Sequence, residues 1–203
     1  MTLRPASLGV LCGAWLAATV GCGAAGGPQA GSPVADPTAD CLPDMTFTDA
    51  HGRPMSLASL RGDPVLFDFI YTSCPGPCEV LTVRMASVAD HLVGVLGRGA
   101  HLVSVTVDPE HDGPRELLAF AKARGADRDG WLFLTGPPER VDELMARFGL
   151  VRQRAPDGSI AHVLEFFLVG PDRHPVRQYL PPRDDPARIA RDVRNLASGG
   201  RTG

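Results

Sequence analysis

The amino-acid sequence predicts an α/β protein, a three-layer sandwich built around a mixed central sheet. Three observations carry this. Short apolar runs of strand length recur near residues 65–71, 101–107 and 163–169; stretches of helical period separate the first two and follow the second; and two extended runs joined by a turn precede a closing helix.

Taken in order, Phe47 to Pro54 sets a Gly-centred turn between two short extended pieces, an N-terminal β-hairpin, and Ser56 to Leu60 has room for one helical turn. Val65 to Tyr71 (VLFDFIY) is almost continuously apolar, as a strand buried on both faces must be. Asp68 interrupts it. The preferred reading is an edge-facing or hydrogen-bonded carboxylate, and the alternative is a buried acid of raised pKa. From Pro77, Leu81, Met85, Val88 and Leu92 recur at i, i+4, i+7 and i+11 and line one helical face. That spacing makes Met85 a core residue and not a soft metal ligand. His101 to Val107 reads as a second central strand, Pro114 to Arg124 as a helix, and the strand, helix and strand as a right-handed crossover. Trp131 to Leu134 is a brief strand, and Pro137-Pro138 opens a helix with Val141, Leu144, Met145 and Phe148 inward. Val163 to Val169 and Val176 to Leu180 flank the turn Gly170-Pro171-Asp172-Arg173, and Asp184 to Leu196 ends the domain as a helix.

Composition narrows the function classes. A chain of 203 residues with 44% hydrophobic and 21% charged content has a core, favours one domain plus appendages, and is neither disordered nor fibrous. Twenty basic residues against 23 acidic ones, with no dense basic cluster, argue against nucleic acid as a partner. Five cysteines are too few for a disulfide scaffold and enough for a reactive or metal-binding site.

Residues 1–21 read as a signal peptide: Arg4 supplies the positive charge, and the apolar run from Leu8 to Val20 is shorter than the roughly 20 residues a spanning helix needs. Gly21-Cys22 resembles a lipobox, with Thr19 where such boxes usually carry Leu, so cleavage is expected before Cys22, which becomes the lipidated first residue. Ordinary secretion and an uncleaved anchor are the alternatives, and Cys12 is a poor lipidation candidate. Each version puts the domain outside the cytoplasm. Residues 22–39, rich in Gly, Ala and Pro, form a flexible tether; the domain spans 40–197 and residues 198–203 are a disordered tail.

Cys74-Pro75-Gly76-Pro77-Cys78 falls where the first buried strand turns into the first long helix. That is the carboxyl end of a strand, where ligands collect in α/β sheets, and a helix N-terminus, where free N–H groups and the dipole favour a thiolate. Both sulfurs are therefore expected to be reactive. Four residues apart on one helical side, they can close on a soft ion or on each other. An inert staple is the weaker reading, because so short a loop gains little from cross-linking. Structural zinc needs four ligands and there is no second cysteine pair, whereas Cu(I) is content with two sulfurs and an imidazole. Of the histidines, His51, His111 and His174 sit in exposed turns or polar loops and read as solvated; nothing singles out His91 or His101. His162, at the start of the apolar run VLEFFLV, lies at a sheet edge from which it can approach the pair. Cys41 is left over, as a free thiol, a transient partner for the pair or a tether residue.

Phe69 to Cys78 (FIYTSCPGPC), Met85, Val105 to Glu110 (VTVDPE), Phe133 to Gly136 (FLTG) and Ala161-His162-Val163, in that order, resemble the Sco/SenC family over about Asp40 to Leu196. The resemblance implies a thioredoxin-like fold and a membrane-tethered metallochaperone that passes copper, as Cu(I) and also Cu(II), to the copper-site subunit of cytochrome c oxidase. It assigns Cys74, Cys78 and His162 as metal ligands and sets Asp108 near the site, although capping the loop before Pro114 explains Asp108 equally well. The family commonly has CPDxCP; Gly76 stands here for the Asp and Glu79 for the last Pro. Loss of the loop carboxylate bears on docking and on metal electrostatics. The alternative function is an extracytoplasmic thiol-disulfide oxidoreductase, with Cys74 and Cys78 as a catalytic redox pair that reduces the acceptor's cysteines. A peroxidase is a weaker third, since no peroxide pocket around a single nucleophile stands out.

Overall fold

The computed structural model describes residues 42–74, 77–161, 164–181 and 183–199, the side chains of Pro77 and Cys78 excepted. The expected signal peptide, Cys12, Cys22, the tether, Cys41, His162 and the tail beyond residue 199 lie outside the described residues.

Strands β1 (Thr46–Asp49) and β2 (Pro54–Ser56) form the N-terminal hairpin. The Ser56 hydroxyl then accepts the Ala58 N–H at 3.2 Å and caps a single 3-10 turn over Leu57–Leu60. β3 (Val65–Ile70), α1 (Pro77–Asp90), β4 (His101–Thr106), α2 (Pro114–Ala123), β5 (Trp131–Thr135) and α3 (Pro138–Arg147) alternate as the periodicity predicts. Each helix starts on a proline, which has no N–H to leave unsatisfied in a first turn. The chain continues through β6 (Gln153–Arg154), β7 (Ile160–Ala161), β8 (Phe166–Val169), β9 (Pro175–Tyr179) and α4 (Pro186–Gly199). α4 runs on past the boundary expected at 197.

The main sheet has the order β2-β1-β5-β4-β3-β8-β9, with β3, β4 and β5 parallel and β8 antiparallel to β3. β6 and β7 pair only with each other, a hairpin too short to show in the sequence pattern. Along β3 side chains alternate between two packed faces. Phe67 and Phe69 meet Phe148 and Phe167 at centroid separations of 5.0 to 6.2 Å across the cluster, on the side closed by the end of α3. On the other face Phe120 of α2 meets Phe133, which stands beside Ser104 of β4. Leu81, Met85, Val88 and Leu92 are all buried, so Met85 is core as its spacing predicts. At about 1.5 to 3 kcal/mol for each fully buried large apolar side chain, these two layers carry the stability of the domain.

Asp68 is not edge-facing: β3 lies between β4 and β8, and Asp68 is wholly buried beside Ser104 of β4. Burial pushes its pKa from 3.8 up to about 7, and the Ser104 hydroxyl opposite, which already accepts the Trp131 indole N–H at 3.0 Å, offsets only part of this.

A raised carboxyl pKa means that the folded state keeps a proton the unfolded chain releases, so the cost grows as pH rises from about 4 to about 7 and is complete above. Asp68→Asn is expected to flatten that slope. Urea unfolding should find it more stable than wild type at pH 8, by up to about 4 kcal/mol at 1.36 kcal/mol per pK unit, with little gain at pH 4. Parallel pH profiles for the two proteins would contradict the assignment.

Candidate metal centre

β3 and β4 run parallel in full register, Val65 beside His101 through Ile70 beside Thr106, so both chains leave the sheet at the same edge. After β3 the chain turns at once: the Cys74 N–H donates to the Tyr71 carbonyl at 3.3 Å, and α1 begins at Pro77. Cys74 is half-buried and packs against the core, while Cys78 is the second residue of α1, in the turn where backbone N–H groups lack helical acceptors. The backbone therefore delivers the cysteine loop to the carboxyl edge of a central strand, as the sequence predicts.

A buried carboxylate holds this edge together. Asp112, in the loop between β4 and α2, accepts the Thr72 N–H at 2.9 Å and the Thr72 hydroxyl at 2.5 Å. It also accepts the Thr106 hydroxyl at 2.6 Å, and the Thr106 oxygen in turn accepts the Asp108 N–H at 2.9 Å. One side chain thus ties the residue two before Cys74 to the last residue of the neighbouring strand.

Asp108, also buried, does more than cap its own loop. It takes Arg154 of β6 at 2.5 Å and pairs with the His111 ring at 2.8 Å. Burial alone would raise its pKa, but the hydrogen bonds from Arg154 and His111 outweigh this and hold it below the usual carboxylate range. Arg152 reaches the Val107 carbonyl at 3.1 Å, Glu110 at 2.9 Å and Asp142 at 2.7 Å. Its hydrogen bond holds the Glu110 carboxyl low as well, against a smaller opposing effect of burial. The β6–β7 turn, with Gly158 at φ +85°, closes over the same edge, where Tyr71, Ser73, Asp157, Gly158 and Ser159 line a shallow cleft. The Ile160 N–H donates to the Tyr71 hydroxyl at 3.5 Å.

The topology sorts the histidines. His101 opens β4 and pairs with Asp63, His51 pairs with Asp127 just before β5, His91 follows α1, and His174 lies in the β8–β9 turn. All four are at the edge opposite Cys74. His111 is at the Cys74 edge, solvated as expected yet anchored to Asp108. His162 and the Cys78 side chain lie outside the described residues; the strand that follows His162, β8, runs antiparallel to β3, with Phe167 opposite Phe67.

Asp112, Arg152 and Arg154 escape the sequence reading. Asp112 sits in a His-Asp-Gly-Pro stretch that reads only as a turn. The arginines did leave a trace: two like side chains at i and i+2 share one side of an extended segment, and the Asp157-Gly158 turn after them signals a hairpin.

A cysteine loop joining a central parallel strand to the first long helix of an α/β sandwich defines the thioredoxin-like class. Comparison with known proteins narrows it: the SCO1/SenC family profile matches residues 34–198. The SCO1 protein homolog of Bacillus subtilis is 32% identical over 152 residues, covering 73% of this chain and 78% of that protein. Among solved structures, BsSco, described as a member of the Sco family of cytochrome c oxidase assembly proteins with a disulfide switch, is 31% identical. It has a TM-score of 0.68 and covers 81% of this chain and 98% of its own. Bradyrhizobium japonicum ScoI with copper bound shares the fold at 22% identity and a TM-score of 0.66, covering 74% of this chain and 96% of its own. The chain belongs to the SCO1/SenC family.

Replacing Asp112 by Ala strands two hydroxyls and an amide that now share one carboxylate. At about 1 to 3 kcal/mol for each buried donor left unpaired, the variant is expected to lose at least about 3 kcal/mol in urea unfolding. A loss below 1 kcal/mol would show that water replaces the carboxylate without penalty.

Proposed function

We propose that this protein is an extracytoplasmic copper metallochaperone, anchored to the membrane through lipidated Cys22, that hands copper to the copper-site subunit of a cytochrome c oxidase. Copper is the cargo. Cys74, Cys78 and His162 hold it, two soft sulfurs and one imidazole, a donor set that suits Cu(I) and accommodates Cu(II). The observation that carries the reading is the meeting of two segments at one edge. The Ile160 N–H reaches the Tyr71 hydroxyl, Ile160 is two residues before His162, and Tyr71 is three residues before Cys74. The copper bound to Bradyrhizobium japonicum ScoI supports the choice of metal.

Three ligands leave a coordination position open, so an incoming acceptor ligand can bind before a donor ligand leaves and copper never becomes free. The tether of residues 22–39 raises the local concentration of donor at a membrane-bound acceptor. A second reading, thiol-disulfide exchange through Cys74 and Cys78 that readies the acceptor's cysteines, draws support from the disulfide switch reported for BsSco.

The histidine separates the two. His162→Ala is expected to lower Cu(I) affinity at least tenfold, about 1.4 kcal/mol, in competition with a chromophoric chelator, while dithiol-disulfide exchange changes little. Unchanged affinity would remove the imidazole from the site and favour the oxidoreductase. Cys74→Ser and Cys78→Ser should each abolish both activities.

A further inference from the structure

The β6–β7 hairpin is a weak element in the wrong place to be weak. Each strand has two residues, the pairing consists of Gln153 with Ala161 and Arg154 with Ile160, and neither strand joins the main sheet. A two-stranded ribbon of this size is not stable by itself in water, so its position depends on what its side chains grip. Arg154 makes three hydrogen bonds to two residues. Its Nη2 donates to Asp108 Oδ1 at 2.5 Å, and its Nη1 is 3.4 Å from Asp108 Oδ2 and donates to the Gly158 carbonyl at 3.2 Å. The guanidinium therefore spans the turn of its own hairpin and a carboxylate buried just beyond the end of β4.

Asp108 cannot swing away to follow a moving hairpin. It is buried, its backbone N–H is held by Thr106, and its carbonyl accepts the Asp112 N–H at 2.8 Å, which links it to the network that pins Thr72. The planar fork of Arg meets this carboxylate on both oxygens, a geometry that Lys cannot copy.

We propose that Arg154 is a positioning residue for copper binding: through Asp108 it fixes the hairpin whose second strand ends at Ala161, and so sets how often His162 is held at the cysteine pair. The proposal rests on the copper reading above. Arg154 itself touches no metal. Without Arg154 the ties of Cys74 to Tyr71 and to the core remain, and only the contribution of the imidazole declines, because the hairpin must be ordered each time the ligand engages.

A double-mutant cycle tests this on the purified protein. Cu(I) affinity is measured by chelator competition for wild type, Arg154→Ala, His162→Ala and the double variant, with thermal unfolding of each metal-free form. Arg154→Ala is expected to weaken Cu(I) about tenfold, the low end for groups that orient a ligand, and to cause no further loss once His162 is already Ala. Arg154→Lys should fall between, and it carries the cycle if Arg154→Ala fails to fold. Equal losses in both backgrounds, or none in either, would overturn the positioning role and leave the copper site standing. A His162→Ala variant of unchanged affinity would sink the copper reading and this proposal with it.

Discussion

Two parallel strands that end side by side must find partners for their last backbone and hydroxyl groups without the help of a third strand, and Asp112 is how this protein does it. Its carboxylate collects Thr72 from one chain and Thr106 from the other. An ionised acceptor makes these bonds stronger than neutral ones, and its burial keeps them from being exchanged for water. The cysteine loop then starts from a fixed point, two residues past Thr72. Everything that the chemistry needs afterwards, a helix N-terminus on one side and a hairpin on the other, is hung from that edge.

The two sides differ in kind. Cys74 and the start of α1 are tied to the sheet by backbone continuity, the Tyr71 turn and core packing, all short-range and rigid. The hairpin is tied by Ile160, buried in the core, and by long side chains across sequence separations of more than forty residues, such as Arg154 to Asp108 and Arg152 to Glu110. Ion pairs of exposed groups are individually weak, but here the carboxylate of Asp108 is buried and the contacts form a network.

The loop carboxylate common in the family is absent, Gly76 standing in its place, yet the edge is not short of charge. Asp108, Glu110, Asp142, Arg152 and Arg154 surround the hairpin, with Glu110 held low by Arg152 and Asp108 by Arg154 and His111 together. Below this edge Asp68 is a carboxyl with the opposite tendency, raised by burial. Asp68 on β3 and Asp108 just past the end of β4 thus differ in protonation preference, the first desolvated without a cation and the second paired with Arg154 and His111.

Periodicity and punctuation were enough to read most of the frame. The apolar run of β3, the i, i+4, i+7 face of α1 with Met85 in the core, and prolines at helix starts are local features, so a linear chain displays them. So does the cysteine loop, because its chemistry and its position between a strand and a helix are written in consecutive residues. How completely Asp68 is buried is not written locally, because it depends on what pairs beside β3, and β8 comes from a hundred residues later. The β6–β7 hairpin was missed because two-residue strands have no period to detect. Asp112 and Arg154 became visible only when distant segments met, since a buried carboxylate is recognised by its donors and a clamp by what it spans. Local patterns mark which residues are candidates for the chemistry; long-range packing decides which segments meet at one edge.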